Sequence, residues 1–148
     1  MEIKFTNISK DDLLECAKLY VEVFRNPPWN EEWSLEEASE RLSDMYNIPK
    51  PIAIKATHNG NLCGFLMGRL QKWTGETNCD IEEFCISNSM QRKRIGSLLM
   101  TQLEETLKIM KVSGVLLITQ KNSVPFSFYS SLNFVEDSSL VVMRKKIK

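Results

Sequence analysis

Residues 81–100 constrain this chain more than any other stretch. Ile81-Glu82-Glu83-Phe84-Cys85-Ile86 reads as a strand and Ser87-Asn88-Ser89-Met90 as a polar turn. Gln91-Arg92-Lys93-Arg94-Ile95-Gly96-Ser97 then leads into an amphipathic helix. That order aims a helix N-terminus, with its unpaired N–H groups, at whatever sits beyond the strand end. The unpaired donors and the helix dipole together favour an anion, above all a phosphate. Arg92, Lys93 and Arg94 add positive charge at the same place.

The flanking sequence surrounds this unit with both helices and strands. Residues 2–6 alternate as a strand does. Ser9, before Lys10-Asp11-Asp12, is an N-cap for a helix with Leu13, Leu14, Ala17, Leu19, Tyr20, Val21 and Phe24 on its apolar face, stopping before Pro27-Pro28. Ser34-Leu35-Glu36-Glu37 is a capping box for a second helix over residues 35–46. Strands at 52–57 and 62–70 flank Asn59-Gly60, both of which accept positive φ in a hairpin turn. Gly64 and Gly68 within the second of these indicate a bulge or close packing. A strand at 79–87 follows. The main helix spans 95–111, with Ile95, Leu98, Leu99, Leu103, Leu107 and Met110 inward and Gly114 as its stop. A buried-type strand at 115–119, a short helix at 125–132 and a closing hairpin of Phe134 with residues 140–143 complete the pattern. The expected class is α/β with a mixed sheet.

A chain of 148 residues suits one domain with one core. Its formal net charge of zero gives no general drive toward nucleic acid or an anionic membrane. The basic residues after Met90 are a local patch, and the run from Arg144 to Lys148 reads as a solvated strand end. The four cysteines (Cys16, Cys63, Cys79 and Cys85) form no Cys-x-x-Cys, and His58 is the one histidine, so no metal site is expected. Reduced, buried thiols point to a cytoplasmic protein. The N-terminus does not read as a signal peptide, and no stretch approaches the roughly 18 apolar residues of a membrane span.

Gln91-Arg92-Lys93-Arg94-Ile95-Gly96 resembles the Gln/Arg-x-x-Gly-x-Gly/Ala pyrophosphate signature of the GNAT family, the acetyl-CoA-dependent N-acetyltransferases. Pro125-Phe126-Ser127-Phe128-Tyr129-Ser130-Ser131-Leu132-Asn133-Phe134 is similar to the family's FYxxxGF segment, in the family's order and at its usual separation. The chain has the length of one GNAT domain, so the resemblance covers residues 1–148 nearly whole. It implies the GNAT acyl-CoA N-acyltransferase fold, a splayed central sheet flanked by helices, with acetyl-CoA as cosubstrate. Two departures stand out. Arg94 replaces the first glycine of the signature, where a side chain is expected to avoid positive φ. Asn133 replaces the downstream glycine, and asparagine tolerates a left-handed conformation well.

Carried over by position, the resemblance puts the backbone of Phe84, Cys85 and Ile86 against pantetheine, which pairs with a strand as an added peptide would. Gln91, Arg92, Lys93, Arg94, Ile95, Gly96 and Ser97 would hold the pyrophosphate. Asn122 matches a position whose side chain often contacts CoA in relatives. Tyr129 would protonate the departing CoA thiolate. An amine acceptor must be neutral to attack, which calls for a base or water relay. Glu82 is the first candidate and Asp80 the second, both on one face of an even strand. A bulge would shift that parity toward Glu83. A backbone N–H near Ile86 would stabilise the oxyanion.

The loop Phe24-Arg25-Asn26-Pro27-Pro28-Trp29-Asn30-Glu31-Glu32-Trp33 is the expected acceptor lip. Trp29 and Trp33 would stack on a cationic amine, and Glu31 and Glu83 would pair with it. Its Pro-Pro-Trp-Asn-Glu stretch resembles the aminoglycoside 6′-N-acetyltransferase-like branch. Direct attack in a ternary complex is the expected mechanism, ahead of a covalent route through Cys85. The rivals are a non-catalytic acyl-CoA-binding regulatory module, which would not depend on Tyr129, and a protein- or tRNA-directed acetyltransferase. Zero net charge counts against the tRNA version. The sequence does not fix the oligomeric state, and a homodimer is compatible with the resemblance.

Overall fold

The computed structural model describes residues 2–148. The chain divides into a first compact unit ending at Ile118 and a second from Thr119 to Lys148. The first contains β1 (Lys4–Asn7), α1 (Leu13–Phe24), α2 (Leu35–Tyr46), β2 (Pro51–His58), β3 (Asn61–Trp73), β4 (Glu76–Ile86), α3 (Ile95–Ile109) and β5 (Gly114–Leu116). Its strands form one mixed sheet in the order β1-β2-β3-β4-β5. Pairing is antiparallel from β1 to β4 and parallel between β4 and β5.

Local signals explain most boundaries. Ser34 Oγ accepts from the Glu37 N–H at 3.0 Å, and the Ser34 N–H donates to Glu37 Oε1 at 3.3 Å, closing the capping box of α2. Asn59 and Gly60 turn the β2–β3 hairpin at φ 51° and 77°. Ser9 caps a 3-10 turn, Lys10–Asp12, and α1 itself begins at Leu13. Lys111, at φ 60°, ends α3, and Gly114 opens β5 instead of stopping the helix.

Helices α1 and α2 cover one face of the sheet. Cys16, Ala17, Tyr20, Val23, Ala38 and Leu42 pack there with Phe65, Met67 and Cys85. On the other face Ile95 of α3 packs with Ala56 and Cys63. The buried stripe of α3 is Ile95, Leu99, Met100, Leu103 and Leu107. It is rotated from the expected one, since Leu98 and Met110 are about half exposed and Met100 is buried.

The sheet has one irregularity that matters for function. Met67 pairs with Glu83 and Gly68 pairs with Ile81, so Glu82 is an extra residue on β4. A bulge of this kind shifts the side-chain parity of everything beyond it. Ile81 therefore shares the face of Gly68, while Glu83 and Cys85 share the α1/α2 face with Met67 and Phe65. Gly68 permits the close approach: a Cβ there would overlap the Asp80 carbonyl.

In the second unit, Ser123 Oγ accepts from the Phe126 N–H at 3.2 Å and caps α4 (Val124–Ser131). Asn133 ends this helix at φ 71°, as expected of asparagine. The expected closing hairpin is not formed within this unit. Among the described residues no strand is assigned over 133–148. A turn stands there instead, in which Asp137 Oδ1 accepts from the Ser139 N–H at 3.0 Å. Leu140, Val141, Val142 and Met143 form a continuous apolar run with no ladder partner inside their own unit.

Gly68→Ala is expected to lower unfolding stability by about 1–3 kcal/mol, the usual cost of overpacking where backbone must move. Urea denaturation measures it. A loss within error of zero would show that the β3–β4 bulge has room the geometry denies.

Candidate active site

β4 carries the three candidate acids, Asp80, Glu82 and Glu83. Side chains directly opposite one another across a ladder share a face. Asp80 pairs with Arg69, and Arg69 shares its face with Met67, so Asp80 and Glu83 lie on the α1/α2 side together. Arg69 Nε stands 3.8 Å from both Asp80 Oδ2 and Glu82 Oε1. Those distances are ion pairing without hydrogen bonds. Arg69 Nε and Asp80 Oδ1 are buried with no hydrogen-bond partner among the described residues. Glu82 is the exposed member of the three.

Glu83 has the most structured environment. Its side chain is only 9% exposed. Oε1 accepts two hydrogen bonds, from the Tyr20 hydroxyl at 2.9 Å and from Arg41 Nε at 2.7 Å. Burial pushes the Glu83 carboxyl above its ordinary range, and the Arg41 guanidinium and Tyr20 phenol pull it only part of the way back. Tyr20 in turn is pushed up by its own burial and by the charge of Glu83. Arg41 also lies over Trp33, its Cζ 5.9 Å from the ring centroid. An open cleft of about 360 Å³ borders this group, lined by Trp33, Glu37, Glu40, Arg41, Asp44 and Met45.

The expected acceptor lip is split. Trp33 meets Tyr20 edge-on at 5.1 Å and joins the Glu83 group. Its indole N–H donates to Glu31 Oε1 at 2.7 Å, which ties Glu31 to the same corner. Trp29 packs edge-on against Phe24 at 4.9 Å and anchors the loop to the core. Tyr20, Arg41 and Arg69 are the residues that sequence reasoning missed. Arg41 is the sole base in α2 among Glu36, Glu37, Glu40 and Asp44, and Arg69 interrupts the apolar run of β3. Those two anomalies were the available signals.

At the other end of β4 the ladder to β5 stops at Asp80–Leu116, while β4 runs on to Ile86. The turn beyond it is held by Gln91, whose Nε2 donates to the Ile86 carbonyl and to Asn88 Oδ1, both at 3.1 Å. Gln91 therefore spends its amide on the turn. Arg92 and Arg94 adopt φ 66° and 64°. This corrects the expectation for Arg94, which takes the left-handed conformation despite its Cβ. It does so as N-cap of α3, where its carbonyl accepts from the Leu98 N–H at 3.0 Å. Left-handed residues before a helix start turn successive N–H groups toward one concavity, a recurring anion cradle. Ile95, Gly96 and Ser97 occupy the first turn, whose N–H groups have no acceptor inside the helix. This cradle fits a pyrophosphate.

Cys85 is buried, and burial followed by the charge of Glu83 pushes its thiol well above the ordinary range. Such a thiol is a poor nucleophile. Phe84, on the same strand, is half-buried. In the second unit Asn122 takes φ 56° just before the α4 cap. Tyr129 packs edge-on against Phe128 at 5.3 Å and Phe134 at 5.5 Å.

The model of the acetyltransferase (GNAT) family matches residues 14–134. The chain belongs to the GNAT family. No curated protein matched the sequence. The GNAT chain is similar in structure to a possible acetyltransferase from Clostridium difficile 630, at 16% identity and TM-score 0.84, with 100% of both chains covered. An aminoglycoside acetyltransferase from an uncultured soil metagenomic sample, in complex with sisomicin, superposes at 17% identity and TM-score 0.79, covering 99% of this chain and 97% of that one. A ribosomal-protein-alanine N-acetyltransferase from Brucella melitensis biovar Abortus 2308 does so at 17% identity and TM-score 0.78, covering 98% and 100%. At these identities the likeness shows the shared fold. Among the described residues no helix is long and apolar enough to cross a membrane.

Tyr20→Phe removes one donor to a buried carboxylate and is expected to cost about 1.5–3 kcal/mol of stability near pH 7. The sign of its pH dependence follows from Glu83. A carboxyl whose folded pKa is raised contributes stability that is present below the ordinary value and lost as pH rises through the folded one. Tyr20 holds that folded pKa down, so its loss enlarges the penalty at high pH. The deficit of Tyr20→Phe should therefore be larger at pH 7 than at pH 4 in paired urea titrations. An equal deficit at both would separate Tyr20 from the ionisation of Glu83.

Proposed function

We propose that this GNAT acetyltransferase transfers the acetyl group of acetyl-CoA to a primary amine of a small or medium cationic acceptor, by direct attack in a ternary complex. The two units are read as one catalytic domain over residues 1–148. The observation that carries this reading is the pair of features on one strand: an anion cradle beyond the end of β4, and a buried carboxylate, Glu83, turned by the bulge toward an open acidic cleft.

The roles follow from charge. The cradle from Gln91 to Ser97 binds the CoA pyrophosphate, with Arg92, Lys93 and Arg94 supplying positive charge. The backbone of Phe84, Cys85 and Ile86 lies along pantetheine, and an N–H near Ile86 receives the oxyanion. Asn122 contacts CoA. The acceptor ammonium gives a proton to a β4 carboxylate, the freed nitrogen forms the new N–C bond, and the C–S bond breaks. Tyr129 supplies the proton that the thiolate takes up, and the second proton that the nitrogen sheds as the amide forms returns to Tyr129 through water. Among the acids, Glu83 is placed first as base, because a carboxyl raised toward neutrality is a better proton acceptor there. Asp80 and Glu82, held beside Arg69, come after it. Trp33 and Glu31 flank the acceptor, with Trp29 behind them.

A thiol-release assay over polyamines, aminoglycosides, amino-acid amides and lysine peptides, at low and high salt, tests this reading. Transfer to cationic amines should weaken with salt, since exposed charges are screened over about 10 Å at 0.1 M. Preference for an acidic acceptor rejects it. Absence of transfer to any amine, with acetyl-CoA still bound tightly, favours the non-catalytic rival.

Tyr129→Phe should preserve fold and CoA affinity and lower kcat by about 10²-fold or more, the usual worth of general acid catalysis. Unchanged turnover with a substrate for which chemistry is rate-limiting leaves Tyr129 as a packing residue.

A further inference from the structure

The acceptor face already holds a cation. Arg41 projects from α2, donates through Nε to the buried Glu83 carboxylate at 2.7 Å and lies over Trp33. An anionic oxygen and an aromatic ring converging on one place are what an alkylammonium or guanidinium needs. The chain fills that place with its own side chain.

Arg41 is open to the cleft. Its side chain is 40% exposed and borders the open cleft. The bond to Glu83 uses Nε, and the guanidinium also interacts with the Tyr20 side chain at the same corner. Glu37 and Asp44 stand four residues before and three after Arg41 on α2, so they are its neighbours on the helix surface. Both line the same cleft. A guanidinium leaving Glu83 therefore has carboxylates to receive it. Glu83 has no such freedom: it is buried, and Tyr20 fixes the oxygen that Arg41 shares. The mobile partner is the arginine.

We propose that Arg41 is a built-in occupant of the acceptor's cation seat, holding Glu83 beside Trp33 until an ammonium-bearing acceptor replaces it and sends it to the carboxylates of α2. This rests on the acceptor reading of the α1/α2 face. It makes Arg41 a specificity-determining residue. A cationic acceptor restores the charge partner that Glu83 loses. A neutral alcohol of the same shape does not, and would leave a buried carboxylate unpaired.

The test uses the full chain without acetyl-CoA, and n-butylammonium chloride as probe with 1-butanol as its neutral control. In the wild type, saturating butylammonium should move the Arg41 Nε–H and Trp33 indole resonances together, and 1-butanol should move neither. In Arg41→Met the seat is vacant. A seat open only about 1–10% of the time costs a ligand about 10–100-fold in apparent affinity, so the variant should bind butylammonium at least about tenfold more tightly. Arg41→Gln gives the same reading if the methionine variant does not fold.

Three results overturn the proposal: Trp33 responding to butylammonium while Arg41 Nε–H stays fixed, 1-butanol binding as well as the ammonium, or equal or weaker probe affinity in the folded variant. Because the readout is binding alone, it separates from the transfer assay. Displacement of Arg41 in a protein that acetylates no amine keeps the seat and removes the proposed reaction. Transfer to amines with Arg41 unmoved does the reverse.

Discussion

The placement of charge in this structure depends on one extra residue in β4. Without the bulge opposite Gly68, the odd-numbered positions of β4 would stay on one face, and Glu83 would follow Cys79 and Ile81 toward the α3 side. The buried residues of α3 on that side are all apolar: Ile95, Leu99, Met100, Leu103 and Leu107. With the bulge, Glu83 turns toward Tyr20 and Arg41, and Cys85 follows into the α1/α2 core. The bulge requires the chains to approach at Gly68, where any side chain would collide with the Asp80 carbonyl. A missing Cβ on β3 thus decides which way a carboxylate on β4 faces.

The electrostatics of that face are mixed. Asp80, Glu82 and Glu83 are answered by Arg69 and Arg41, which leaves one negative charge in excess if all five are ionised. A lone buried carboxylate would protonate, and a fully neutralised site would not attract an amine. Two arginines at different distances give an intermediate state. Arg41 touches its partner at 2.7 Å, while Arg69 stands off at 3.8 Å between two acids. Coulomb energy falls only slowly over that difference, but the hydrogen bond is lost entirely. Arg69 therefore offsets charge without occupying the carboxylate oxygens through hydrogen bonds.

The order of elements was legible because its signals are local. The capping box of α2, the Asn59-Gly60 turn and the i, i+4 apolar stripe of α3 each depend on residues within a few positions of one another. The strand-turn-helix signature was legible for the same reason. What could not be read depended on contacts distant in sequence. Tyr20 and Glu83 are 63 residues apart, and Arg41 and Glu83 are 42 apart. Gly68 signalled a bulge, yet not which β4 residue would be doubled, so Glu82 and Asp80 stood ahead of Glu83. Arg94 was misjudged because propensity weighs the isolated residue. In the chain, the strain of a left-handed arginine is carried by the α3 bond that its carbonyl accepts and by Gln91 tying the turn to Ile86.

The Glu83–Arg41 pair is hard to account for by stability. Desolvating two charges costs several kcal/mol per ion, and apolar replacements of similar volume are often neutral or stabilising by about 1–4 kcal/mol. The surroundings of Glu83 would suit such a replacement, since Phe65, Met67, Cys85 and Tyr20 form a packed apolar layer on that face. A leucine at position 83 would fill it and would free Arg41 for solvent, but would leave the buried Tyr20 hydroxyl without its acceptor. The fold's own need is one acceptor for the Tyr20 hydroxyl, and it gives no reason for a charge paired with Arg41. A reaction that must take a proton from an ammonium does give one, because it needs an acid group that is shielded from water yet reachable by a cation. Nine-tenths burial with a partner open to the cleft meets both needs, and the proposed base role rests on that combination.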